Sequence, residues 1–92
     1  MSDEGYDVVL GSTARRAITD RLPEAVATAV VNFMTSALVE EPHRVGKPLR
    51  GELAGLWSAR RGTYRVLYRI DEDRRDVIVL RIEHRGDVYR PG

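Results

Sequence analysis

The sequence predicts an α+β fold with the element order β-α-α-β-β-β, in which two N-terminal helices pack on one face of a small, mainly antiparallel sheet. Two observations carry this prediction. Apolar residues recur at helical spacing in the first half of the chain, whereas in the second half they alternate with polar residues as in strands. The length of 92 residues fits one domain, so residues 1–92 are expected to fold as a single unit.

The N-terminal half is predicted to contain one strand and two helices. Alternating polarity over residues 6–10 indicates the strand, and Ser12 or Thr13 can then cap a first helix that ends near Leu22. Pro23 suits the first turn of the second helix. That helix is predicted to turn a single apolar stripe toward the core, formed by Val26, Val30, Phe33, Ala37 and Leu38, with Ala29 and Met34 beside it.

Three strand-like runs follow, over residues 56–61, 64–71 and 77–83, and the short turns between them predict antiparallel hairpins. Trp57 is expected to pack where the first of these strands meets the helices. Alternation predicts that the core face of the second run carries Tyr64, Val66, Tyr68 and Ile70. In the third run the predicted core residues are Ile78, Leu80 and Ile82, and the opposite face is expected to carry Val77, Val79 and Arg81.

The face of the sheet away from the helices is expected to be rich in arginine. Alternation directs three arginines and one edge acid to it, namely Arg65, Arg69, Arg81 and Glu83. Residues 43–92 hold twelve basic and seven acidic residues, whereas residues 1–42 hold three and seven. The guanidinium fork matches phosphate, so the sequence favours a polyanionic partner over an ordinary solvated face, which usually mixes charges.

Composition and missing motifs exclude several classes of protein. Without cysteine there is no disulfide framework, thiolate nucleophile or cysteine zinc site. No Walker-type glycine loop, GxGxxG or HExxH motif occurs and the two histidines stand apart, so neither a metal nor another cofactor is expected. No apolar run is long enough to cross a bilayer, and the first residues are acidic, unlike a secretory signal. We therefore expect a cytoplasmic protein without a membrane partner.

The segment after the last strand adds titratable groups beside the arginines. His84 and Tyr89 can each transfer a proton, which arginine cannot do near neutral pH. Each also has a structural alternative, since a tail tyrosine often packs on a sheet edge and a lone histidine often lies at the surface. His43, in the connecting segment, is a weaker candidate.

Four short stretches of the second half follow one another in an order that carries a family resemblance. They are Gly46-Lys47-Pro48-Leu49, Gly55-Leu56-Trp57-Ser58-Ala59-Arg60, the run from Gly62-Thr63-Tyr64-Arg65 to Asp71, and His84-Arg85 with Asp87-Val88-Tyr89. In this order they resemble the RelE/ParE toxins of bacterial type II toxin-antitoxin systems, and the RelE branch in particular. The family's compact β-α-α-β-β-β fold agrees with the elements predicted above.

The resemblance implies a ribosome-dependent mRNA endonuclease that cleaves in the A site, with the ribose 2′-hydroxyl attacking the adjacent phosphate and no metal required. By motif, Arg65 corresponds to the family's phosphate-stabilising arginine, Arg85 to its second catalytic arginine and Tyr89 to its C-terminal tyrosine. The best-studied members carry lysines on the strand before the Tyr-Arg pair, and this chain has none there. The general base is therefore open between His84 and Tyr89. The expected RNA-binding side chains are Lys47, Arg60, Arg61, Arg69 and Arg81.

The same resemblance implies three partners: a RelB-like antitoxin through which the toxin autoregulates its operon, the 70S ribosome, and mRNA. The alternative within the family is a ParE-type toxin that inhibits DNA gyrase without doing chemistry. His84 and Arg85 with Tyr89 favour the endonuclease, because a binding module has no need of a titratable group beside arginines. A general RNA-binding module is disfavoured, since Tyr64 and Tyr68 are predicted to face the core rather than stack bases.

Overall fold

The computed structural model describes residues 5–85, and its centre is a five-stranded mixed sheet with the spatial order β1-β5-β4-β3-β2. The strands are β1 (Asp7–Leu10), β2 (Lys47–Pro48), β3 (Trp57–Arg61), β4 (Tyr64–Asp71) and β5 (Asp76–His84). Strand β1 pairs with β5 in parallel, and the other neighbours are antiparallel. The predicted α+β class and the hairpins of the second half are confirmed. The two-residue strand β2 was not predicted.

The helical elements are short. They are α1 (Ser12–Arg16), a π-helical turn (Ala17–Arg21), α2 (Glu24–Met34), α3 (Ala37–Glu40), α4 (Pro42–Val45) and a 3-10 turn (Gly51–Leu53). The predicted cap of the first helix was wrong, because Ser12 and Thr13 lie inside α1 and Gly11 is the capping residue. Within the described residues, no helix is long and apolar enough to span a membrane.

The second predicted helix is interrupted. It ends at Met34, and a turn at Thr35 and Ser36 separates it from α3. The Thr35 hydroxyl donates to the Val31 carbonyl at 2.8 Å, and the Ser36 hydroxyl donates to the Asn32 carbonyl at 2.6 Å. Hydroxyls that bind carbonyls of the preceding turn compete with the backbone ladder and weaken a helix there. The predicted stripe nevertheless buries Val30, Phe33, Met34 and Leu38.

The predicted core face of β5 was wrong for four residues and right for Ile82. Val77 and Val79 are fully buried, whereas Ile78 and Leu80 are only partly buried. The cause is a β-bulge between β4 and β5. Tyr68 pairs with Val79 and Leu67 pairs with Arg81, so Leu80 is the extra residue. An extra residue reverses the alternation on its strand, so the valines face the core on one side of the bulge and Ile82 does so beyond it.

The central strand β4 is anchored to α4 through Tyr68. Its ring is fully buried, and its hydroxyl donates a 2.6 Å hydrogen bond to the Pro42 carbonyl. Burial raises the pKa of Tyr68 to about 12, so the hydroxyl remains a donor at neutral pH. A Cβ atom on Gly46 would overlap that hydroxyl, which explains why glycine follows α4.

Trp57 lies at the start of β3 and is partly buried against the core. Its ring stacks on Tyr68 with centroids 6.4 Å apart, and the ring of His43 meets its edge at 5.4 Å. The indole therefore links β3 to β4 and to α4.

Replacing Trp57 by Ala is expected to lower the free energy of unfolding by about 3 kcal/mol, the lower end of the range for a core tryptophan, because the ring is only partly buried. Urea unfolding followed by circular dichroism measures the change. Val31→Ala is the control, since Val31 on α2 is 38% exposed and its loss should change stability by less than about 1 kcal/mol. Equal stability of Trp57→Ala and the parent protein would contradict a packing role.

Candidate functional site

The open face of the sheet carries a row of charged side chains across three strands. Arg60 of β3 pairs directly with Arg65 of β4, and Arg65 pairs directly with Glu83 of β5. Residues directly opposite one another in an antiparallel pair have side chains on the same face, with Cβ atoms about 5 Å apart. The strand register therefore assembles this row, with Arg65 on the middle strand.

A half-open pocket of about 310 Å³ lies at the end of the sheet beside this row. Its lining is formed by Arg60, Gly62, Thr63, Tyr64, Arg65, Glu83, His84 and Arg85. Gly62 in the β3–β4 turn has φ +57°, a conformation that glycine adopts readily. The Thr63 carbonyl in the same turn accepts a 2.8 Å hydrogen bond from the backbone N–H of Arg85. The turn thus holds the residues that follow β5 close to Arg65.

Glu83 lies between Arg65 and Arg81 on the open face of the sheet. Its Oε1 lies 3.6 Å from Nη1 of Arg65, and its Oε2 lies 3.5 Å from Nε of Arg81. Alternation predicts Glu83 only as an acid at the edge of this face. Its even spacing from Arg81 on β5 was the signal that both share one face and therefore one charge cluster.

Tyr64 contributes its ring to the pocket but not a reactive oxygen. The ring is buried, its edge meets Phe33 at a centroid distance of 6.4 Å, and its hydroxyl donates to the Ala29 carbonyl at 3.4 Å. Burial raises the pKa of Tyr64, so the phenol stays protonated at neutral pH. Tyr64 is therefore a wall of the pocket.

A basic groove of about 630 Å³ adjoins the pocket along the β2–β3 edge. It shares Arg60 and Arg65 with the pocket, and its other cationic side chains are Arg44, Lys47 and Arg61. Arg44 was missed by the sequence analysis, because it lies on the short helix α4 and outside the strand pattern. The groove extends the positive surface beyond the pocket.

The predicted site residues are only partly brought together. Arg60, Arg65, His84 and Arg85 share the pocket, and Lys47 lies in the adjoining groove. Arg81 contacts Glu83 of the pocket. Arg69 lies four residues beyond Arg65 on β4, a distance of roughly 13 Å at 3.3 Å per residue. Tyr89 lies outside the described residues.

Arg61 lies on the helix side of β3, since it pairs with the core residue Tyr64. Its guanidinium carbon sits 4.8 Å from the ring centroid of Phe33, a cation–π contact. Arg61 lines the basic groove while its guanidinium packs on Phe33, whereas its neighbour Arg60 lies on the open face.

His43 lies away from the pocket. Its Nε2 contacts Oε2 of Glu72 at 2.6 Å, and Tyr6 donates a 2.9 Å hydrogen bond to Oε1 of the same carboxylate. These hydrogen bonds lower the pKa of Glu72. The cluster joins α4 to the β4–β5 turn and the chain before β1, at the far end of the sheet. Nowhere in residues 5–85 do three side chains of the metal-binding types come together.

The arrangement has two chemical capacities. Three guanidinium groups around one pocket bind and stabilise an anion, most effectively a phosphate that accepts bidentate hydrogen bonds. A carboxylate and an imidazole beside them supply groups that accept or donate a proton. Phosphate chemistry with proton transfer is therefore what this site can support.

Comparison with known proteins identifies the family. The family described as "ParE toxin of type II toxin-antitoxin system, parDE" matches residues 10–89. The toxin RelG of Mycobacterium tuberculosis is 55% identical over 85 residues, which cover 92% of this chain and 97% of RelG. The toxin RelE of the same organism is 48% identical over 88 residues, covering 96% of this chain and 90% of that protein.

The fold comparison gives the same result. A chain in the crystal structure of the toxin-antitoxin complex RelBE2 from Mycobacterium tuberculosis matches with a TM-score of 0.85 and 54% identity, covering 88% of this chain and 99% of that one. Both the sequence and the fold thus agree with the resemblance stated from the motifs. The chain belongs to the RelE/ParE family of toxins of type II toxin-antitoxin systems, and it is a RelE-type toxin.

Proposed function

We propose that this toxin is a ribosome-dependent endoribonuclease that cleaves mRNA in the ribosomal A site and so inhibits translation in the cytoplasm. RelE-like toxins are ribonucleases. The observation that carries the proposal is the convergence of Arg60, Arg65 and Arg85 around one half-open pocket that also holds His84. A catalytic pocket for RNA needs both features, since phosphate must be bound and a proton must be moved.

The proposed reaction is an attack of the ribose 2′-hydroxyl on the adjacent phosphate. It needs a base for that hydroxyl, cations for the charge that develops on the phosphate, and an acid for the leaving 5′-oxygen. The products are a 2′,3′-cyclic phosphate on one fragment and a 5′-hydroxyl on the other. The arginines supply the charge stabilisation, so the proposed reaction is independent of a metal ion.

Arg65 is the proposed principal catalytic residue. Strands β3 and β5 flank it on both sides, and the backbone of β4 therefore fixes its reach. Arg60 is its direct partner across β3, and Arg85 is tied to the same turn through its backbone N–H. Two or three guanidinium groups held in this way stabilise a phosphate as it gains charge.

The acid for the leaving oxygen is proposed to be His84 or Tyr89. His84 lines the pocket next to Arg85. Because it pairs with Tyr64, it lies on the opposite side of β5 from Glu83, at the strand end where the pocket is formed. Tyr89 follows four residues after Arg85 in the sequence. Either side chain can donate a proton to an alkoxide leaving group.

The RNA is proposed to run from the pocket into the basic groove. Arg44, Lys47 and Arg60 offer cations along the β2–β3 edge, and Arg69 and Arg81 extend the charge along the open face in the other direction. Cations spaced along an open surface follow a nucleic-acid backbone without demanding one sequence.

The gyrase-inhibiting alternative is less well supported. The two relatives above are named RelG and RelE, at 55% and 48% identity. A binding-only inhibitor also gives no reason to place His84 and Glu83 among arginines in one pocket.

The proposed protein partner is a RelB-like antitoxin. The similar chain in the RelBE2 structure is part of a toxin-antitoxin complex. We propose that an acidic segment of the antitoxin covers the open cationic face, which masks the arginines and allows the complex to regulate its own operon.

Arg65→Ala is expected to slow single-turnover cleavage of ribosome-bound mRNA by about a hundredfold to a thousandfold, because a phosphate-stabilising donor is lost. Growth arrest on expression should disappear with it, while unfolding free energy and ribosome binding stay close to those of the parent. The charge-matched control is Arg74→Ala, in the exposed β4–β5 turn. Cleavage by Arg65→Ala at the parent rate would remove Arg65 from the catalytic role.

Two adjacent arginines on opposite faces of β3 provide a matched comparison. Arg60→Ala is expected to weaken binding of a short single-stranded RNA and to reduce the salt dependence of log K by about 0.7, the value for one lost phosphate contact. Arg61→Ala should lower RNA affinity by less than Arg60→Ala, because its guanidinium is held on Phe33, and should lower stability by about 0.5 to 1 kcal/mol through the lost contact with that ring.

Fluorescence anisotropy at several salt concentrations measures the affinity for RNA and its salt dependence, and urea unfolding measures the free energy of unfolding. Equal loss of RNA affinity in Arg60→Ala and Arg61→Ala would contradict the different roles assigned to the two faces of β3.

Antitoxin binding is expected to weaken as salt rises, because the proposed contact joins opposite charges at an exposed face. Isothermal titration of the toxin with its RelB-like antitoxin, over about 0.05 to 0.5 M salt, measures the dependence. An affinity that is constant across this range would exclude the electrostatic contact.

A further inference from the structure

The two oxygens of the Glu83 carboxylate contact different arginines. Oε1 lies 3.6 Å from Nη1 of Arg65, and Oε2 lies 3.5 Å from Nε of Arg81. Both distances exceed the roughly 2.8 Å of a strong charge-assisted hydrogen bond. Glu83 is also partly open to solvent, with 38% of its side chain exposed. The carboxylate is therefore oriented by two cations without being locked onto either of them.

The pocket offers few groups that can take up a proton. Its arginines stay charged in proteins, and burial keeps the Tyr64 phenol protonated. Among the residues that line the described pocket, this leaves the carboxylate of Glu83 and the imidazole of His84. Cleavage requires both a proton acceptor and a proton donor, so one of these two side chains can accept a proton while the other donates one.

The position of Glu83 relative to Arg65 suits the acceptor. The attacking 2′-hydroxyl and the phosphate that it attacks are joined through the 3′-oxygen of one ribose, so the base must lie beside the phosphate-binding group. Glu83 is the direct cross-strand partner of Arg65, and the two side chains share the open face. The carboxylate of Glu83 therefore lies beside the guanidinium that is proposed to hold the phosphate.

We propose that Glu83 is the general base of the cleavage reaction, an inference that rests on the proposed function. When a phosphate binds, Nη1 of Arg65 turns from Oε1 of Glu83 to the phosphate oxygen, while Arg81 continues to hold Oε2. The freed Oε1 accepts the proton of the 2′-hydroxyl as the bond from the 2′-oxygen to phosphorus forms. The bond from phosphorus to the 5′-oxygen breaks, and that oxygen takes a proton from His84 or Tyr89. Glu83 later returns its proton to water.

This assignment also gives the Arg81 contact a function. Arg81 is a positioning residue, because it orients the carboxylate while Arg65 is occupied by the phosphate. In the free protein Arg65 shares its charge with Glu83, so the arginine is not left unpaired at an exposed surface before RNA binds.

The test is the Glu83→Gln variant, which keeps the shape of the side chain and one hydrogen-bond acceptor but cannot take up the proton. Single-turnover cleavage of ribosome-bound mRNA is expected to fall by about a hundredfold to ten-thousandfold. Affinity for the mRNA-programmed ribosome should stay equal or rise, because a negative charge beside Arg65 and Arg81 is removed. Asp73→Asn, in the exposed β4–β5 turn, is the control for loss of one acid and should cleave at the parent rate.

A substrate with sulfur in place of the leaving 5′-oxygen separates a base from an acid, because a thiolate leaves without a proton donor. Glu83→Gln is expected to remain slow on this substrate, whereas a variant that lacks the acid is rescued. Full rescue of Glu83→Gln would overturn the assignment, and so would cleavage of the normal substrate within about twofold of the parent rate. If the parent protein itself leaves mRNA intact, the proposed function fails. If the parent cleaves and Glu83→Gln cleaves equally well, only the role of Glu83 fails.

Discussion

The register of the three antiparallel strands β3, β4 and β5 is the constraint on which the rest of the molecule depends. It places Arg60, Arg65 and Glu83 side by side on the open face. The same register buries Val66 and Tyr68 on the other face of β4. A slip of one residue would exchange the two faces and bury the arginines, at a large cost in desolvation. Burial of the core therefore fixes the geometry of the charged site, because one strand register determines both.

Alternation in the sequence predicted β4 well, because that strand is regular and has strongly contrasting faces. The same rule failed on β5, where Leu80 is the extra residue of a bulge and Val77 and Val79 are the buried residues. A bulge is a property of the pairing between two strands, so the polarity pattern of one strand does not reveal it. The end of α2 at Met34 was not predicted either, because the apolar stripe continues beyond it. The hydroxyl of Thr35 bonds to the Val31 carbonyl at this point, and such a contact weakens a helix.

The candidate site was predicted in part. The family motifs identified Arg65, His84 and Arg85, and the structure brings all three into one pocket. They did not give Glu83 a role, although alternation placed it on the open face, because its pairing with Arg65 joins two strands and depends on the strand register. Arg61 and Arg60 are consecutive strand residues and so point to opposite faces, with Arg60 on the open one, and the expected RNA contact of Arg61 stays a prediction.

The ends of β3, β4 and β5 are proposed to form a site for RNA cleavage on the ribosome. This proposal is tested most directly with the purified parent protein and 70S ribosomes that carry a defined mRNA in the A site, by mapping the cut and the chemistry of its ends. We expect one cut within the A-site codon, with a 2′,3′-cyclic phosphate upstream and a 5′-hydroxyl downstream, and no comparable cutting of the same mRNA without ribosomes. Intact mRNA, together with broken DNA when the protein is added to gyrase, would contradict it.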